Sequence, residues 1–123
     1  MYRLTVTRRF CAAHHLRDYD GKCANLHGHN YRVEITVSGE QLDETGMLVD
    51  FTVLKAACDD VLDRFDHAYL NELPEFADRN VTAEHLAQTI YRQVAERLSV
   101  PGVRVSEIKL YETEDSATIY RED

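Results

Sequence analysis

The sequence lacks the features that mark membrane and secreted proteins. No run of apolar residues approaches the ~18 needed to cross a bilayer, and the N-terminal residues lack the apolar core of a signal peptide. Cysteine is scarce, with only Cys11, Cys23 and Cys58 in the chain. Three thiols form no even disulfide framework, so we expect a protein of the reducing cytoplasm.

Positive charge is also scarce, because 14 lysines and arginines face 22 acidic residues, for a formal net charge of −8. This balance disfavours nucleic acids and anionic membranes as partners, although it leaves room for a local basic pocket. The 123 residues contain no internal repeat and no low-complexity tract. We therefore predict one domain over residues 1–123, with a modest core that oligomerisation or a bound metal would help to stabilise.

Hydrophobic periodicity predicts four strands and two helices. Apolar residues alternate along the two N-terminal strands and recur at helical spacing in the middle of the chain, where Asp50 and Thr82 are the expected N-caps. The predicted elements are strands over 2–14 and 29–37, helices from 51 to about 65 and from 83 to a stop at Pro101-Gly102, and strands over 104–113 and 117–121. The order β-β-α-α-β-β favours an α+β fold, an antiparallel four-stranded sheet with both helices on one face.

The clearest chemical signal is the segment from Cys23 to His29. His27 and His29 are two residues apart on an extended segment, so both imidazoles project to the same side and can reach one ion. His14 is the expected third ligand, since it shares strand parity with inward-facing apolar residues, whereas His15 falls on the other face and is expected to be solvent-exposed. Three neutral imidazoles with one open position form a typical catalytic zinc site.

Two other interpretations of this segment remain open. The histidines could be ordinary polar surface and turn residues with no metal, which is the usual role of any single histidine. Alternatively, Cys23 could supply a fourth ligand and close a structural zinc site. The strand cysteine Cys11 and the helix cysteine Cys58 are interpreted as ordinary small residues.

Five motifs, in their order along the chain, resemble those of the 6-pyruvoyltetrahydropterin synthase superfamily. They are Phe10-Cys11-Ala12-Ala13-His14, His27-Gly28-His29-Asn30-Tyr31, Thr45-Gly46-Met47-Leu48-Val49-Asp50-Phe51, Asp66-His67-Ala68-Tyr69-Leu70-Asn71 and Tyr111-Glu112-Thr113. The three residues between Cys23 and His27 are similar to the compact spacing of the bacterial 6-carboxytetrahydropterin synthases of queuosine biosynthesis. Val81 and His85 depart from the family, where proline and asparagine are common.

The resemblance implies a fold, an activity and a set of site residues. The fold would be the tunnelling fold, or T-fold. The activity would be a zinc-dependent lyase that converts 7,8-dihydroneopterin triphosphate to 6-carboxy-5,6,7,8-tetrahydropterin, with release of acetaldehyde and triphosphate. Zinc would be held by His14, His27 and His29, while Cys23 would act as a base and His67, paired with Asp66, as a second proton-transfer group. Without the resemblance, Cys23 is a loop thiol and Asp66-His67 a polar turn.

Glu112 is singled out independently, because Ile108, Leu110 and Glu112 share one parity of a strand. A carboxylate on an apolar face is costly unless it is paired, and a pterin offers two adjacent N–H donors that it could accept. A strand-end residue that reaches solvent is the alternative. Thr82 is a further candidate pterin contact, although capping explains it equally well.

Other expectations concern the substrate phosphates and the assembly. Arg8, Arg9 and Lys22 are candidate triphosphate contacts, with solvated surface charge as the alternative for each. The resemblance implies that three chains form a twelve-stranded barrel and that two such rings stack into a homohexamer with shared active sites. Two rival functions stay open, a 6-pyruvoyltetrahydropterin synthase that eliminates triphosphate and a non-catalytic zinc- or pterin-binding module.

Overall fold

The alternating N-terminal sequences form a long antiparallel pair at the centre of the sheet. A computed structural model describes all 123 residues. Its helices and strands are β1 (Tyr2–His14), β2 (His27–Gly39), α1 (Phe51–Leu62), β3 (Ala68–Tyr69), α2 (Ala83–Arg97), β4 (Arg104–Thr113) and β5 (Ser116–Tyr120). The spatial order of the strands is β3-β1-β2-β4-β5. The α+β class is therefore confirmed.

The sheet has five strands and not the predicted four, because the short strand β3 was not predicted. The two-residue β3 pairs in parallel with β1, where Ala12 and Ala13 face Ala68 and Tyr69. Two residues carry no detectable alternation, and the pairing depends on where the chain returns after α1. The four longer strands are antiparallel to their neighbours, as predicted.

The helices begin where their capping residues predict. The Asp50 side chain accepts a hydrogen bond from the backbone N–H of Thr52 at 2.7 Å, and the Thr82 hydroxyl accepts one from the N–H of His85 at 3.1 Å. Helix α1 ends at Leu62, three residues before its predicted end, although Phe65 remains fully buried beyond it. Neither helix combines the length and the apolarity that a bilayer-spanning segment requires.

Period-two alternation divides the sheet into a covered and an uncovered face. The covered face packs against both helices, and its apolar side chains belong to a single core of 26 buried residues. Cys11, Asn30 and Arg32 alternate out of phase with that core and lie on the face that no helix covers. The core thereby positions one end of the β1–β2 pair, where the histidines lie.

Candidate metal centre and adjoining groove

Strand register brings the three predicted histidines together at one end of the sheet. His14, the last residue of β1, lies directly opposite His27, the first residue of β2. His29 follows two positions later and lies opposite Ala12, so all three side chains share one face. The ring centroids of His14 lie 4.5 Å from His27 and 5.1 Å from His29, and those of His27 and His29 are 4.8 Å apart.

The hydrogen bonds of two rings identify which nitrogen is free to bind a metal. Nδ1 of His14 lies 2.7 Å from the carbonyl oxygen of Val81, and Nδ1 of His27 lies 2.7 Å from that of Asn25. A carbonyl can only accept, so each Nδ1 carries the proton and each Nε2 carries a lone pair. Such second contacts are typical of metal-ligating histidines because they set the tautomer and the ring orientation.

Unpartnered nitrogen atoms indicate what the cluster lacks. Nε2 of His14 and Nε2 of His29 are buried without a hydrogen bond, which is costly for polar atoms unless something else pairs with them. The nearest charged group to the second of these atoms is Glu112 Oε1, which lies 3.3 Å away without forming a hydrogen bond. One ligand atom from each of the three histidines lies within 4.8 Å of those from the other two. The group could therefore hold a metal ion through three imidazoles.

Burial favours the neutral form of these rings. Desolvation lowers the pKa of His14 below its ordinary value, despite the hydrogen bond to Val81. Desolvation also lowers the pKa of His29, and the nearby Glu112 carboxylate opposes that shift. Neutral imidazoles are the form that binds a metal, so the lone pairs are available near neutral pH.

Cys23 lies in a short 3₁₀ turn, Lys22–Ala24, between the two strands that carry the histidines. Cys23 is half-buried, and its carbonyl oxygen accepts a hydrogen bond from the Leu16 N–H at 2.8 Å. Its thiol is not part of the group of close ligand atoms, which contains only the three histidines. The geometry therefore supports an open three-ligand site over one closed by Cys23.

Asp66 and His67 lie at the outer edge of β1. Asp66 Oδ1 accepts a hydrogen bond from the backbone N–H of Cys11 at 2.9 Å and lies 3.0 Å from Nδ1 of His67. The Cys11 N–H, and then the His67 ring, lower the pKa of the Asp66 carboxyl group. His67 has a left-handed backbone, with φ of 58°, and its side chain is 81% exposed. No hydrogen bond joins the pair to Cys23 within the chain.

Glu112 lies at an irregularity in β4, and its side chain is less buried than those of the preceding apolar residues on that strand. The β4–β5 register shifts between Tyr111 and Thr113, and such a bulge can redirect a side chain. Glu112 Oε1 lies 3.3 Å from Nε2 of His29, while Ile108 and Leu110 are fully buried. The prediction of a carboxylate at the end of an apolar strand face is in accord with this position.

An open groove of about 1010 Å³ connects these groups. Its lining includes His29, Glu112, Asp66 and His67 together with groups that the sequence analysis did not select, among them Asn30 and Arg32. Arg32 lies directly opposite Arg9 in the β1–β2 pairing. The sequence analysis missed it because the pairing of two strands is set by the fold and not by the sequence of either strand.

Several other candidate residues have local partners. Arg8 binds both carboxylate oxygens of Asp59, at 2.8 and 2.6 Å, whereas Lys22 is exposed outside the groove. Thr82 caps α2 and does not line the groove. The expectation of an exposed His15 is wrong, because β3 brings the hydroxyl of Tyr69 to 2.5 Å from its Nδ1 and leaves it half-buried.

Known proteins resemble this chain along its whole length. The profile of the family described as 6-pyruvoyl tetrahydropterin synthase matches residues 3–123. The 6-carboxy-5,6,7,8-tetrahydropterin synthase of Bacillus subtilis is 35% identical, over 98% of this chain and 85% of the relative. The 6-pyruvoyl tetrahydrobiopterin synthase of Poecilia reticulata is 36% identical, over 96% of this chain and 88% of the relative.

A solved structure supports the same relationship. The 6-pyruvoyl tetrahydropterin synthase of Caenorhabditis elegans superposes with a TM-score of 0.86 at 29% identity, covering 100% of this chain and 98% of that one. The order of the motifs, the fold, the histidine cluster and these matches agree. The chain therefore belongs to the 6-pyruvoyl tetrahydropterin synthase family.

Proposed function

We propose that the protein is a zinc-dependent lyase that converts 7,8-dihydroneopterin triphosphate to 6-carboxy-5,6,7,8-tetrahydropterin, with release of acetaldehyde and triphosphate, in queuosine biosynthesis. The observation that carries this proposal is the convergence of three imidazoles, two of them oriented by backbone carbonyls, beside the Glu112 carboxylate. When bound, zinc supplies a Lewis acid that polarises the side-chain oxygens of the substrate and acidifies the adjacent C–H. The protein would hold it through His14, His27 and His29.

Glu112 would orient the pterin. A carboxylate accepts two adjacent N–H donors in bidentate fashion, and such charge-assisted bonds are among the strongest available to a protein. Its side chain is 27% exposed and reaches the groove from the strand end nearest His29. The heterocycle would thereby be fixed with its side chain directed towards the imidazoles.

Cys23 and His67 would move protons. His67 exposes its ring, and the Asp66 carboxylate, 3.0 Å from its Nδ1, would orient the imidazole for proton transfer. No hydrogen bond joins Cys23 to this pair within one chain, so we propose that the Cys23 of one chain works with Asp66 and His67 of a neighbour. The active site would then be shared between subunits.

The sheet edges support such an assembly. The outer edge of β1 is paired only at Ala12 and Ala13, and β5 at the opposite end of the sheet has one unpaired edge. Exposed edges of this length are normally covered, and Tyr2 and Ile119 place exposed apolar side chains on them. We propose that β5 of one chain pairs with β1 of the next, so that three chains close a twelve-stranded barrel and two rings form a hexamer.

Arg9 and Arg32 would bind the triphosphate. Like charges directly opposite each other on neighbouring strands are unfavourable, yet these two arginines face each other without an acidic partner. Arg32 is held against the Tyr111 ring, 4.0 Å from its centroid. By contrast, Arg8 forms an ion pair with Asp59 and would stabilise the fold.

The test is incubation of the purified, zinc-loaded protein with 7,8-dihydroneopterin triphosphate, followed by identification of the products by mass. Acetaldehyde and a 6-carboxypterin are expected. A product that keeps all three side-chain carbons would identify a 6-pyruvoyltetrahydropterin synthase instead, the alternative favoured by the 36% identity to the Poecilia reticulata enzyme. No turnover with intact metal would favour a binding module.

A further inference from the structure

The chain leaves β1 through residues 15–17, which two asparagine side chains hold in place. Asn71 Oδ1 accepts a hydrogen bond from the backbone N–H of His15 at 3.0 Å, and Asn71 Nδ2 donates one to the His15 carbonyl oxygen at 3.1 Å. Asn80 repeats this arrangement on Arg17, at 2.7 and 3.0 Å. Each amide group therefore pairs both backbone groups of one residue, as a neighbouring strand would.

The Arg17 side chain adds further bonds between the same two parts of the chain. Its guanidinium group donates to three backbone carbonyl oxygens, at 3.1, 3.2 and 3.3 Å, namely those of Phe76, Arg79 and Asn71. Between β3 and α2 the chain forms only two single 3₁₀ turns. The position of this irregular segment therefore depends on its buried side chains and on its bonds to residues 15–17.

Asn80 adjoins the carbonyl group that orients a candidate metal ligand. The next residue, Val81, accepts the hydrogen bond from Nδ1 of His14 at 2.7 Å. His14 lies three residues before Arg17, the residue whose backbone Asn80 binds. The covalent chain and these hydrogen bonds close a ring of contacts, so the bonds from Asn80 to Arg17 hold the Val81 carbonyl in place against the imidazole.

We propose that Asn80 is a positioning residue of the metal centre. Through its bonds to Arg17 it holds the Val81 carbonyl, and that carbonyl keeps Nε2 of His14 directed at the ion. Outer contacts that orient a metal ligand typically contribute roughly 10- to 100-fold to metal affinity. Asn80 acts one residue beyond such a contact, so we expect an effect of about tenfold. The identity of the ion as zinc rests on the proposed function.

The experiment compares Asn80→Ala with Tyr91→Phe, a control that loses a hydrogen bond far from the histidines. Tyr91 donates from its hydroxyl to the carbonyl oxygen of Val105 at 2.8 Å, and Val105 pairs with Val37, near the end of β2 opposite to His27. Both variants should have a lower Tm in the presence of a chelator. Only Asn80→Ala should have a raised zinc Kd, by about tenfold, in competition with a chelating dye.

A second variant, Asn80→Asp, separates the two hydrogen bonds of the amide group. It keeps the acceptor for the Arg17 N–H and loses the donor to the Arg17 carbonyl. Its zinc Kd should therefore lie between those of the wild type and Asn80→Ala, raised about fivefold. If Asn80→Ala does not fold, Asn80→Asp decides the question alone. The visible spectrum of the cobalt(II)-loaded protein, which reports ligand geometry, should change in the Asn80 variants and not in Tyr91→Phe.

Two results would overturn the inference and leave the proposed function standing. One is an unchanged zinc Kd in the folded Asn80 variants, with normal zinc binding by the wild type. The other is an equal loss of affinity in Asn80→Ala and Tyr91→Phe, because metal affinity would then follow overall stability. Absence of zinc binding by the wild type would overturn both proposals, whereas zinc binding without lyase activity would count against the proposed function alone.

Discussion

The histidine cluster and the Asp66–His67 pair lie on the same sheet but differ in how much of their geometry one chain supplies. At the cluster, two rings are oriented by backbone carbonyls, and the Nε2 atoms of His14 and His29 are buried. At the β1 edge, the His67 side chain is 81% exposed and forms an ion pair with Asp66. The comparison shows that the candidate metal centre is preorganised within one chain, whereas Asp66 and His67 lie at an exposed strand edge, where we propose that a neighbouring chain docks.

The largest expected effect, on zinc content and turnover, is at the histidine cluster. His29→Ala removes one of three ligands, so bound zinc measured by elemental analysis should fall to a small fraction of the wild-type content, and turnover should fall on the order of a thousandfold or more. His15→Ala is the control, because that ring bonds Tyr69 outside the cluster. Retention of full zinc by His29→Ala would contradict the three-ligand site.

His67→Ala should affect chemistry without affecting the metal. Turnover is expected to fall by about two orders of magnitude or more, the contribution of a general acid or base, with zinc content preserved. Near-normal turnover would exclude His67 from the mechanism.

Mixed oligomers test whether the site is shared. Cys23→Ala and His67→Ala chains, inactive separately, should regain about a quarter of wild-type activity when coexpressed, since one in four interfaces would then combine two intact residues. No recovery would place both residues in one subunit. Light scattering that gave a monomer at micromolar concentration would exclude the assembly itself.

Arg9→Gln and Arg32→Gln should each raise the KM of the triphosphate substrate by about tenfold, the loss of one charge-assisted contact. Affinity for dihydroneopterin, which lacks phosphates, should stay unchanged. Arg8→Gln is the matched control, because it breaks the Asp59 ion pair and should lower the Tm without raising KM. An equal loss of affinity for both ligands would argue against a phosphate contact.

The smallest effect is a pH dependence of the metal-free protein. The pKa values of His14 and His29 are lowered by burial, so the unfolded chain binds more protons below its ordinary histidine pKa of about 6.5. The contribution of these two neutral rings to the free energy of unfolding should be fully present above that pH. It should be lost as the pH falls through the lower pKa values of the folded state. Urea titrations with a chelator would measure it, and a flat profile from pH 7 to 5 would be inconsistent with neutral buried rings.

Much of this site could be predicted because the signals are local. The i, i+2 spacing of His27 and His29 and the parity of His14 predicted the cluster, and the capping residues Asp50 and Thr82 predicted the helix starts. His15 was predicted wrongly because its exposure depends on β3, which arrives from more than fifty residues away. The bulge at Glu112 and the Arg9–Arg32 pairing also depend on partner strands.

Which residues share a face and where the helices begin could be derived from local sequence, since side-chain periodicity and capping act over a few residues. Which groups meet across strands followed from the tertiary fold, as in the alignment of His14 with His27 and the approach of Glu112 to His29. Register and packing join residues that are distant in the chain. Their energies depend on the whole core.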